Sequence, residues 1–349
     1  MDRETIKFGI VGCGVISSTH ARAIEEIEGA ELVAVCDVVP EKAQALAEQF
    51  PAQVFTDYHD LLRREDIDVV SVLTPSGLHA EVGIAAAQAG KHVVVEKPMD
   101  VTLAKADALI AACRSAGVRL CCISQHRFDP PVVALKQAVE QGRLGQLNFG
   151  GSHTKWYRAQ EYYDSGDWRG TWALDGGGAL MNQSIHYVDL LQYIMGPVAE
   201  IHAYTATRAH QRIQVEDIAV AALKFQSGAL GLLEGSTLAY PGFCARLDVY
   251  GSEGSVIIEN DQVKAWELRS GEPNPVPPEP VGFIGGTSAK DIWVEAHERQ
   301  IQDVVSALRE GREPLVTGPE GRKPLEIVLA VYESARTGET VKFIQEEIH

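Results

Sequence analysis

The sequence predicts two domains: an N-terminal α/β domain built on a doubly wound parallel sheet, and a C-terminal α+β domain with a large, mostly antiparallel, open-faced sheet. Three observations support this prediction. The chain has 349 residues, whereas an average domain has ~150. Short apolar runs alternate with helical patterns up to about residue 125, and closely spaced strand patterns replace them after about residue 146. We therefore expect domains at residues 1–125 and 126–349.

The first predicted domain alternates strands and helices. Its strand patterns are apolar on both faces, which is typical of a parallel sheet covered by helices on both sides. The predicted strands are Ile6–Gly12, Glu31–Asp37, Asp68–Leu73, Lys91–Val95 and Arg119–Ser124. The predicted helices are Ile16–Ile27, one that opens at Pro40, Leu78–Ala89 and Leu103–Ala116.

The second predicted domain consists mainly of strands. Many alternate apolar with polar residues and are separated by Gly, Asn or Asp, as in antiparallel hairpins with one covered face. The predicted strands are Leu147–Arg158, Ala199–Arg208, Ile218–Gln226, Leu230–Tyr240, Arg246–Gly251, Ser255–Glu259 and Val263–Leu268. The predicted helices are Gly177–Met195, Asp291–Glu310 and Pro319–Arg336, and the proline-rich Gly271–Gly282 is a predicted loop.

Composition and charge exclude several classes of protein. Hydrophobic residues make up 45% and charged residues 23% of the chain, which excludes disorder and low complexity. A formal net charge of −17 argues against non-specific binding to nucleic acid and against binding to an anionic membrane surface. The sequence has neither a signal-peptide pattern nor an apolar run of ~20 residues, and none of its six cysteines forms C-x-x-C. We therefore expect a cytoplasmic protein with free thiols.

A glycine-rich loop follows the first predicted strand. Gly12-Cys13-Gly14-Val15-Ile16-Ser17 matches G-x-G-x-x-G with Ser in the third place, and it joins a strand to a helix, as a dinucleotide-binding loop does. Asp37 ends the second strand, where a carboxylate accepts hydrogen bonds from the ribose hydroxyls and repels a 2′-phosphate. The alternative is a plain glycine turn with an Asp helix cap. We predict NAD as cofactor, bound by Gly12, Gly14, Val15, Ile16 and Asp37.

Two further motifs follow predicted strands at the sheet edge where ligands bind in doubly wound folds. Thr74-Pro75-Ser76-Gly77-Leu78-His79 follows one strand, and Ser76 there is either a ligand or an N-cap. Glu96-Lys97-Pro98 follows the next and holds a lysine beside the ligand crevice; a surface lysine is the alternative. We predict that the cofactor contacts Thr74, Pro75, His79, Glu96, Lys97 and, at the predicted domain boundary, Gln125.

A second glycine-rich segment, Gly176-Gly177-Gly178, precedes the helix of the second domain. The glycines predict helix N-terminal amides that are accessible to a substrate or cofactor. On the helix, Asn182, His186 and Asp189 have the spacing of one face. A solvated polar face is the alternative interpretation, but the adjacent glycines favour a site.

These motifs together resemble the glucose–fructose oxidoreductase/inositol dehydrogenase (Gfo/Idh/MocA) family, and the resemblance covers essentially the whole chain. It implies a Rossmann domain, NAD, and a homo-oligomer, dimer or tetramer, formed through the C-terminal sheet. In that family the lysine of E-K-P and the helical histidine flank the substrate hydroxyl. The resemblance thus implies Lys97 and His186 as catalytic residues with Asn182, which stands where many members have Asp and cannot titrate.

An aromatic and arginine-rich stretch resembles the branch of this family that oxidises the 3-hydroxyl of UDP-linked N-acetylated hexuronic acids. Members that act on free or anhydro sugars have similar runs, so the sugar stays open, and Arg158 alone is also compatible with a surface arginine. The stretch comprises Lys155-Trp156-Tyr157-Arg158, Tyr162-Tyr163 and Trp168-Arg169-Gly170-Thr171-Trp172. We predict that Trp168 and Arg169 contact the cofactor. The predicted substrate-binding residues are Lys97, Arg158, Asn182, Gln183 and His186.

The sequence therefore predicts an NAD-dependent dehydrogenase that oxidises a secondary hydroxyl of a sugar or sugar derivative, nucleotide-linked ones included. Two alternatives remain: a glycosidase of the same fold that oxidises, eliminates and re-reduces, and a non-catalytic dinucleotide-binding regulator. No metal is expected, because the histidines show no ligand spacing. His297 is expected to be a packing or interface residue.

Overall fold

Two compact units make up the part of the chain that the structure, a computed structural model, describes, which is residues 5–277 and 294–343. The first unit contains residues 5–125, 173–176 and 294–322, and the second contains 126–172, 177–277 and 323–343. The predicted boundary after Gln125 coincides with a unit boundary. The division into two uninterrupted ranges differs from the structure, because the segment 294–322 packs in the first unit.

The first unit is built on a six-stranded parallel sheet with strand order β3-β2-β1-β4-β5-β6. Its central strands are rich in valine and buried on both faces, which is why they pair in parallel under two helical layers. The strands are β1 (Ile6–Val11), β2 (Ala30–Cys36), β3 (Gln53–Phe55), β4 (Val69–Val72), β5 (His92–Val95) and β6 (Leu120–Cys122). This order confirms the predicted doubly wound fold.

The helices of the first unit have local start and stop signals. The longest one of the N-terminal segment begins after Thr102, whose side chain accepts the N–H of Lys105, and ends at Gly117, which has a left-handed φ of 67°. The helices are α1 (Ser17–Glu26), α2 (Pro40–Gln49), α3 (Tyr58–Leu62), α4 (His79–Gln88), α5 (Leu103–Ala116) and, from the C-terminal segment, α9 (Val294–Glu310). The chain returns to pack α9 on α1.

The second unit contains an eight-stranded sheet with order β13-β12-β11-β7-β10-β9-β8-β14. It is mostly antiparallel, as predicted, although β7 and β10 pair in parallel. The strands are β7 (Leu147–Lys155), β8 (Val198–Ala206), β9 (Ile218–Phe225), β10 (Leu230–Ser236), β11 (Ala245–Gly251), β12 (Gly254–Glu259), β13 (Gln262–Leu268) and β14 (Val341–Lys342).

One face of this sheet is covered and the other carries exposed apolar side chains. On the covered face, Gly150 lets Leu191 and Met195 pack directly on the strand. On the strands β8 to β10 the side chains of Tyr204, Val220, Leu230 and Leu232 are exposed. The helical elements of this unit are α6 (Pro130–Glu140), α7 (Gln160–Asp164), a π-helix (Ala179–Ser184), α8 (Ile185–Met195) and most of α10 (Gly318–Thr337).

Several elements were not predicted from the sequence. The short ones, β3, α3, α7 and β14, have too few residues for a periodic pattern. Helix α6 is longer, and its start is marked by Asp129 and by prolines in its first turn. The predicted start of the C-terminal helix, residues 291–293, and residues 278–282 of the predicted loop lie outside the described residues.

Candidate active site

In the first unit, the glycine loop connects β1 to α1 as predicted. Gly12 has a φ of 101°, and a Cβ there would lie 2.5 Å from the carbonyl oxygen of Leu73, so only glycine fits. Gly14 is exposed, and a Cβ there would meet no atom within 4 Å. Val15 is 54% exposed and Ile16 half-buried. The loop therefore offers an open backbone surface at the start of a helix, where phosphate groups bind well.

Asp37 follows β2 directly and is tied to this loop. Its Oδ2 accepts the backbone N–H of Cys13 at 2.8 Å, and its Oδ1 accepts that of Val39 at 2.9 Å. A carboxylate has about four acceptor positions, so two remain for ribose hydroxyls. Asp37 thus has the place and the chemistry predicted for it.

Unpartnered polar atoms lie at the carboxyl ends of two strands in the same unit. Thr74 and Pro75 are half-buried after β4, and Gln125 is buried at the end of the segment that follows β6. Within the described residues, neither Oγ1 of Thr74 nor Oε1 of Gln125 has a hydrogen-bond partner. Buried polar atoms without partners are costly, so a polar ligand at this sheet edge suits them. Together with the open loop at Gly14, these atoms fit a dinucleotide.

Two residues predicted to contact the cofactor, His79 and Glu96, are buried and hydrogen-bonded within the first unit. His79 is 1% exposed, and both of its ring nitrogens lie 2.8 Å from carbonyl oxygens, those of Pro98 and Thr74. Glu96 is 6% exposed and bonds to His20 and to the N–H of Lys97. Their side chains position the two loops, and their contact with the cofactor stays a prediction. Lys97 itself is half-buried.

Ser76, predicted to be either a ligand or an N-cap, starts a 3₁₀ turn and does not cap α4. Asp100 caps this helix instead, because its carboxylate accepts the N–H of Ala80.

In the second unit, the predicted accessible amides of the glycine triplet are not accessible. Oε2 of Glu216 accepts the N–H of Gly178 at 2.9 Å, and its Oε1 accepts that of Leu180 at 2.8 Å. A Cβ at Gly178 would collide with the carbonyl oxygen of Glu216, and one at Gly177 with Oη of Tyr332. The glycines therefore serve close packing, and the prediction that the helix N-terminal amides are accessible to a substrate or cofactor is wrong.

Glu216 anchors the start of the helix that carries the predicted catalytic residues. Its carboxylate also accepts the O–H of Tyr332 at 3.0 Å. Burial raises the pKa of Glu216 to about 7, although the hydrogen bonds from Leu180 and Gly178 oppose this shift. The first turns are a π-helix, after which α8 is regular. Asn182 and His186 are half-buried on these two elements, and Gln183 is buried.

Asp189 does not belong to the predicted polar face. It is 2% exposed, and it accepts two hydrogen bonds from Arg127, Nε–H at 2.8 Å and Nη2–H at 2.6 Å. Such a bidentate pair satisfies both buried charges. The prediction of a common face is wrong for Asp189, because this pair holds it in the core.

A cluster that the sequence analysis missed lies next to His186. The ring of His126 contacts that of His186 edge to face, with centroids 5.3 Å apart. Nδ1 of His126 lies 2.7 Å from Oδ2 of Asp129 and 3.2 Å from Oδ1 of Asp261. Burial lowers the pKa of His126, but the two carboxylates outweigh it and hold the pKa well above its usual value. His186 therefore has an imidazolium as neighbour. The Asn260-Asp261 pair, typical of a turn, was a sequence signal that could have located Asp261; both residues have a positive φ in the structure.

The aromatic and arginine residues form one cluster in the second unit. The guanidinium of Arg169 lies over the rings of Tyr162 and Trp168, at 4.3 and 4.4 Å from their centroids, and donates to Oη of Tyr162 at 2.7 Å. The guanidinium of Arg158 lies 5.2 Å from the centroid of Trp156. Arg158 is only 5% exposed, so it is not a surface arginine. The contact of Trp168 and Arg169 with the cofactor stays a prediction.

Family models match most of the chain. The model described as "Oxidoreductase family, NAD-binding Rossmann fold" matches residues 6–124, and the GFO/IDH/MocA C-terminal domain matches residues 132–257. The chain belongs to the Gfo/Idh/MocA family. The resemblance, the fold class and the NAD cofactor predicted from the sequence are thereby confirmed. A curated relative, myo-inositol 2-dehydrogenase of Thermotoga maritima, is 28% identical over 97% of this chain and 98% of its own length.

Two solved structures have a higher sequence identity to this chain than that curated relative has. The WlbA dehydrogenase from Bordetella pertussis, in complex with NADH and UDP-GlcNAcA, is 38% identical, with a TM-score of 0.87 over 98% of this chain and all of its own. The WlbA enzyme from Chromobacterium violaceum, with the same two ligands, is 35% identical, with a TM-score of 0.88 over 99% of this chain and 98% of its own. The predicted class of enzyme, an NAD-dependent oxidoreductase acting on CH–OH groups, is confirmed.

Two clusters bear on the expectation that no metal binds, which stays a prediction. Ligand atoms lie within 4.8 Å of one another in the set His20, Glu96 and His297 and in the set His126, Asp129 and Asp261. Hydrogen bonds account for both arrangements. His297 is buried beside Glu96.

In the described part of the chain, no helix combines the length and the hydrophobicity that crossing a membrane requires.

Proposed function

We propose that this enzyme oxidises a secondary hydroxyl of an anionic, nucleotide-linked sugar, of the class of UDP-linked N-acetylated hexuronic acids. The observation that carries the proposal is the aromatic–arginine cluster: Trp156, Arg158, Tyr162, Trp168 and Arg169. It places two guanidinium groups among flat aromatic rings in a chain with a net charge of −17.

The cluster suits both parts of such a substrate. Guanidinium groups bind carboxylates and phosphates in a bidentate manner, and aromatic rings pack on sugars and on nucleobases. Because the chain as a whole repels anions, a local cationic group is needed to hold one. Gln183 connects the cluster to the helix of His186, since its Nε2 donates to Oη of Tyr162 at 2.9 Å.

The comparison structures support the same substrate class. Two members of the family that were solved with UDP-GlcNAcA are 38% and 35% identical to this chain over nearly its full length. Relatives named for inositol or apiose are 28% and 29% identical. The higher similarity to the former favours a UDP-linked acid over a free polyol.

The side chains divide the chemistry as follows. When bound, NAD⁺ accepts a hydride from the carbinol carbon of the sugar. His186 takes the proton of the hydroxyl, and Asn182 orients the hydroxyl or the imidazole by hydrogen bonds. Lys97, as a cation, stabilises the developing negative charge on the substrate oxygen.

Substrate screening tests the proposal. The enzyme is purified, its bound cofactor is identified by mass spectrometry, and UDP-sugars and free sugars are compared by the absorbance of reduced nicotinamide. We expect turnover of UDP-linked uronic acids and a ketone product. Release of an aglycone without net NADH would identify the glycosidase instead, and cofactor binding without turnover of any sugar would identify the regulator.

The open sheet face supports a homo-oligomer. Exposed Tyr204, Val220, Leu230 and Leu232 lie on neighbouring strands, and contiguous apolar patches of this kind mark protein interfaces. We propose a dimer or tetramer formed through this face. Light scattering after size-exclusion chromatography measures the mass of the wild type and of Leu230→Lys, which we expect to dissociate.

A further inference from the structure

A buried carboxylate between two imidazoles lies next to Lys97 in the first unit. Oε1 of Glu96 is 3.1 Å from Nε2 of His20 and 3.6 Å from Nε2 of His297. Its Oε2 accepts the backbone N–H of Lys97 at 3.0 Å. His20 is 0%, His297 2% and Glu96 6% exposed. One carboxylate therefore joins both imidazoles to the backbone of the lysine.

Each of these side chains comes from a different element. His20 lies on α1, the helix that follows the glycine loop, Glu96 follows β5, and His297 lies on α9. The two imidazole rings also contact each other edge to face, with centroids 5.4 Å apart. The position of Lys97 thus depends on two helices that are distant in sequence.

The charge of Glu96 depends on these donors. A buried carboxylate without partners costs several kcal/mol. Burial raises the pKa of Glu96, but the hydrogen bond from His20 and the imidazole of His297, 3.6 Å away, outweigh this and hold the pKa well below its usual value. Burial lowers the pKa of His20, so its ring is neutral and has one N–H, which Nε2 donates to Glu96. His79 on α4 also faces Glu96 electrostatically, but burial lowers its pKa and its ring nitrogens lie 2.8 Å from the carbonyl oxygens of Pro98 and Thr74.

We propose that His20 and His297 are positioning residues for Lys97: their N–H groups keep Glu96 ionised, and the ionised carboxylate fixes the backbone of the lysine. An ionised carboxylate accepts an N–H more strongly than a neutral acid does. Protonation of Glu96 would therefore release Lys97. The inference rests on the proposed function only where it assigns Lys97 to catalysis.

Matched variants test the role of the two donors. His20→Leu and His297→Leu remove an N–H group, whereas His20→Gln and His297→Gln keep one at a similar reach. We expect the Leu variants to lose about 10²-fold in kcat, the effect of misplacing a catalytic group, and to gain a second acidic limb, beside that of His186, as Glu96 titrates. The Gln variants should show neither effect. Glu96→Gln should lower kcat without a new limb. NADH fluorescence titration and thermal melting verify the fold of each variant.

A second measurement needs no substrate. Selective ¹⁵N-lysine labelling, with Lys97→Arg for assignment, follows the backbone amide of Lys97 from pH 5 to 8. We expect a constant resonance in the wild type and the Gln variants and a titrating one in the Leu variants. A constant resonance in the Leu variants overturns the inference. A titrating resonance in a chain that oxidises no sugar supports the inference and contradicts only the proposed function.

The wild type decides the question even if the Leu variants do not fold. Long-range ¹⁵N–¹H spectra of the histidine rings report tautomer and charge, with His20→Gln for assignment. The proposal requires His20 to be neutral with its proton on Nε2 from pH 5 to 8. A proton on Nδ1 alone, or a charged ring, overturns it.

Discussion

The carboxylate of Asp37 accepts a hydrogen bond from the backbone N–H of Cys13, with 2.8 Å between Oδ2 and N. Cys13 lies between the two glycines of the dinucleotide loop, so the acid at the end of β2 is fixed to the middle of that loop. The second oxygen is held by the N–H of Val39. A carboxylate with so little freedom cannot move away from a 2′-phosphate.

We therefore predict a strong preference for NAD over NADP. Repulsion and desolvation at Asp37 should cost the 2′-phosphate ~2–4 kcal/mol, which corresponds to a roughly 30–10³-fold difference in kcat/KM. Asp37→Ala should narrow this difference, and Asp60→Ala, an exposed acid that pairs with Arg63, should not. Equal kcat/KM values for both cofactors, or no gain for NADP in Asp37→Ala, would contradict the prediction.

Local sequence patterns predict the cofactor half of the site but not the supports behind it. The places of Gly12, Asp37 and Lys97 follow from the order of strands, because ligands bind at the carboxyl ends of a doubly wound sheet. Glu216 gives no such signal, since it lies 38 residues from Gly178, whose N–H it accepts.

The same limit explains the two errors on the catalytic helix. The glycine triplet predicted accessible amides at the start of the helix, but the carboxylate of Glu216, from a distant part of the chain, accepts the N–H groups of Gly178 and Leu180. The spacing of Asp189 suggested a shared face with His186, but its partner Arg127 is 62 residues away. Such long-range pairs decide burial, and periodicity alone does not report them.

His186 and Lys97 should have separable effects on the pH dependence. Histidine has a reference pKa near ~6.5 and lysine near ~10.4, so only the histidine is mostly neutral at pH 7. We predict that kcat for oxidation falls towards acid pH as His186 becomes protonated and that His186→Ala abolishes this limb. Lys97→Met should lose ~10²–10⁴-fold in rate and keep the limb. If the limb persists in His186→Ala and disappears in Lys97→Met, lysine is the base.

Arg158 should contribute binding rather than chemistry. We predict that Arg158→Ala raises KM for a UDP-linked acid much more than it lowers kcat, the pattern of lost uniform binding. Because Arg158 is buried and its Nη1 donates to the carbonyl of Tyr157, the melting temperature must be measured beside the kinetics. Arg212→Ala, an exposed arginine paired with Asp164, is the matched control. A wild type that turns over only neutral free sugars, with Arg158→Ala unaffected, contradicts this assignment.

Glu216 should make the stability of the enzyme depend on pH. Burial raises its pKa to about 7, whereas an unfolded glutamate has a pKa of ~4.3. The folded state therefore binds the proton more tightly than the unfolded state. The resulting stabilisation is fully present below pH ~4.3 and is lost as the pH rises through 7; in total it amounts to about 4 kcal/mol.

The variant Glu216→Gln isolates this contribution, because an amide does not titrate. We expect the free energy of unfolding of the wild type to fall relative to that of Glu216→Gln by about 3 kcal/mol between pH 5 and 9, measured by urea denaturation at each pH. The control is Glu333→Gln, at an exposed position of α10 next to Tyr332. Its free energy of unfolding should change with pH as that of the wild type does. If Glu216→Gln also runs parallel to it over this range, Glu216 does not titrate near neutral pH and its carboxylate stays ionised in the folded protein.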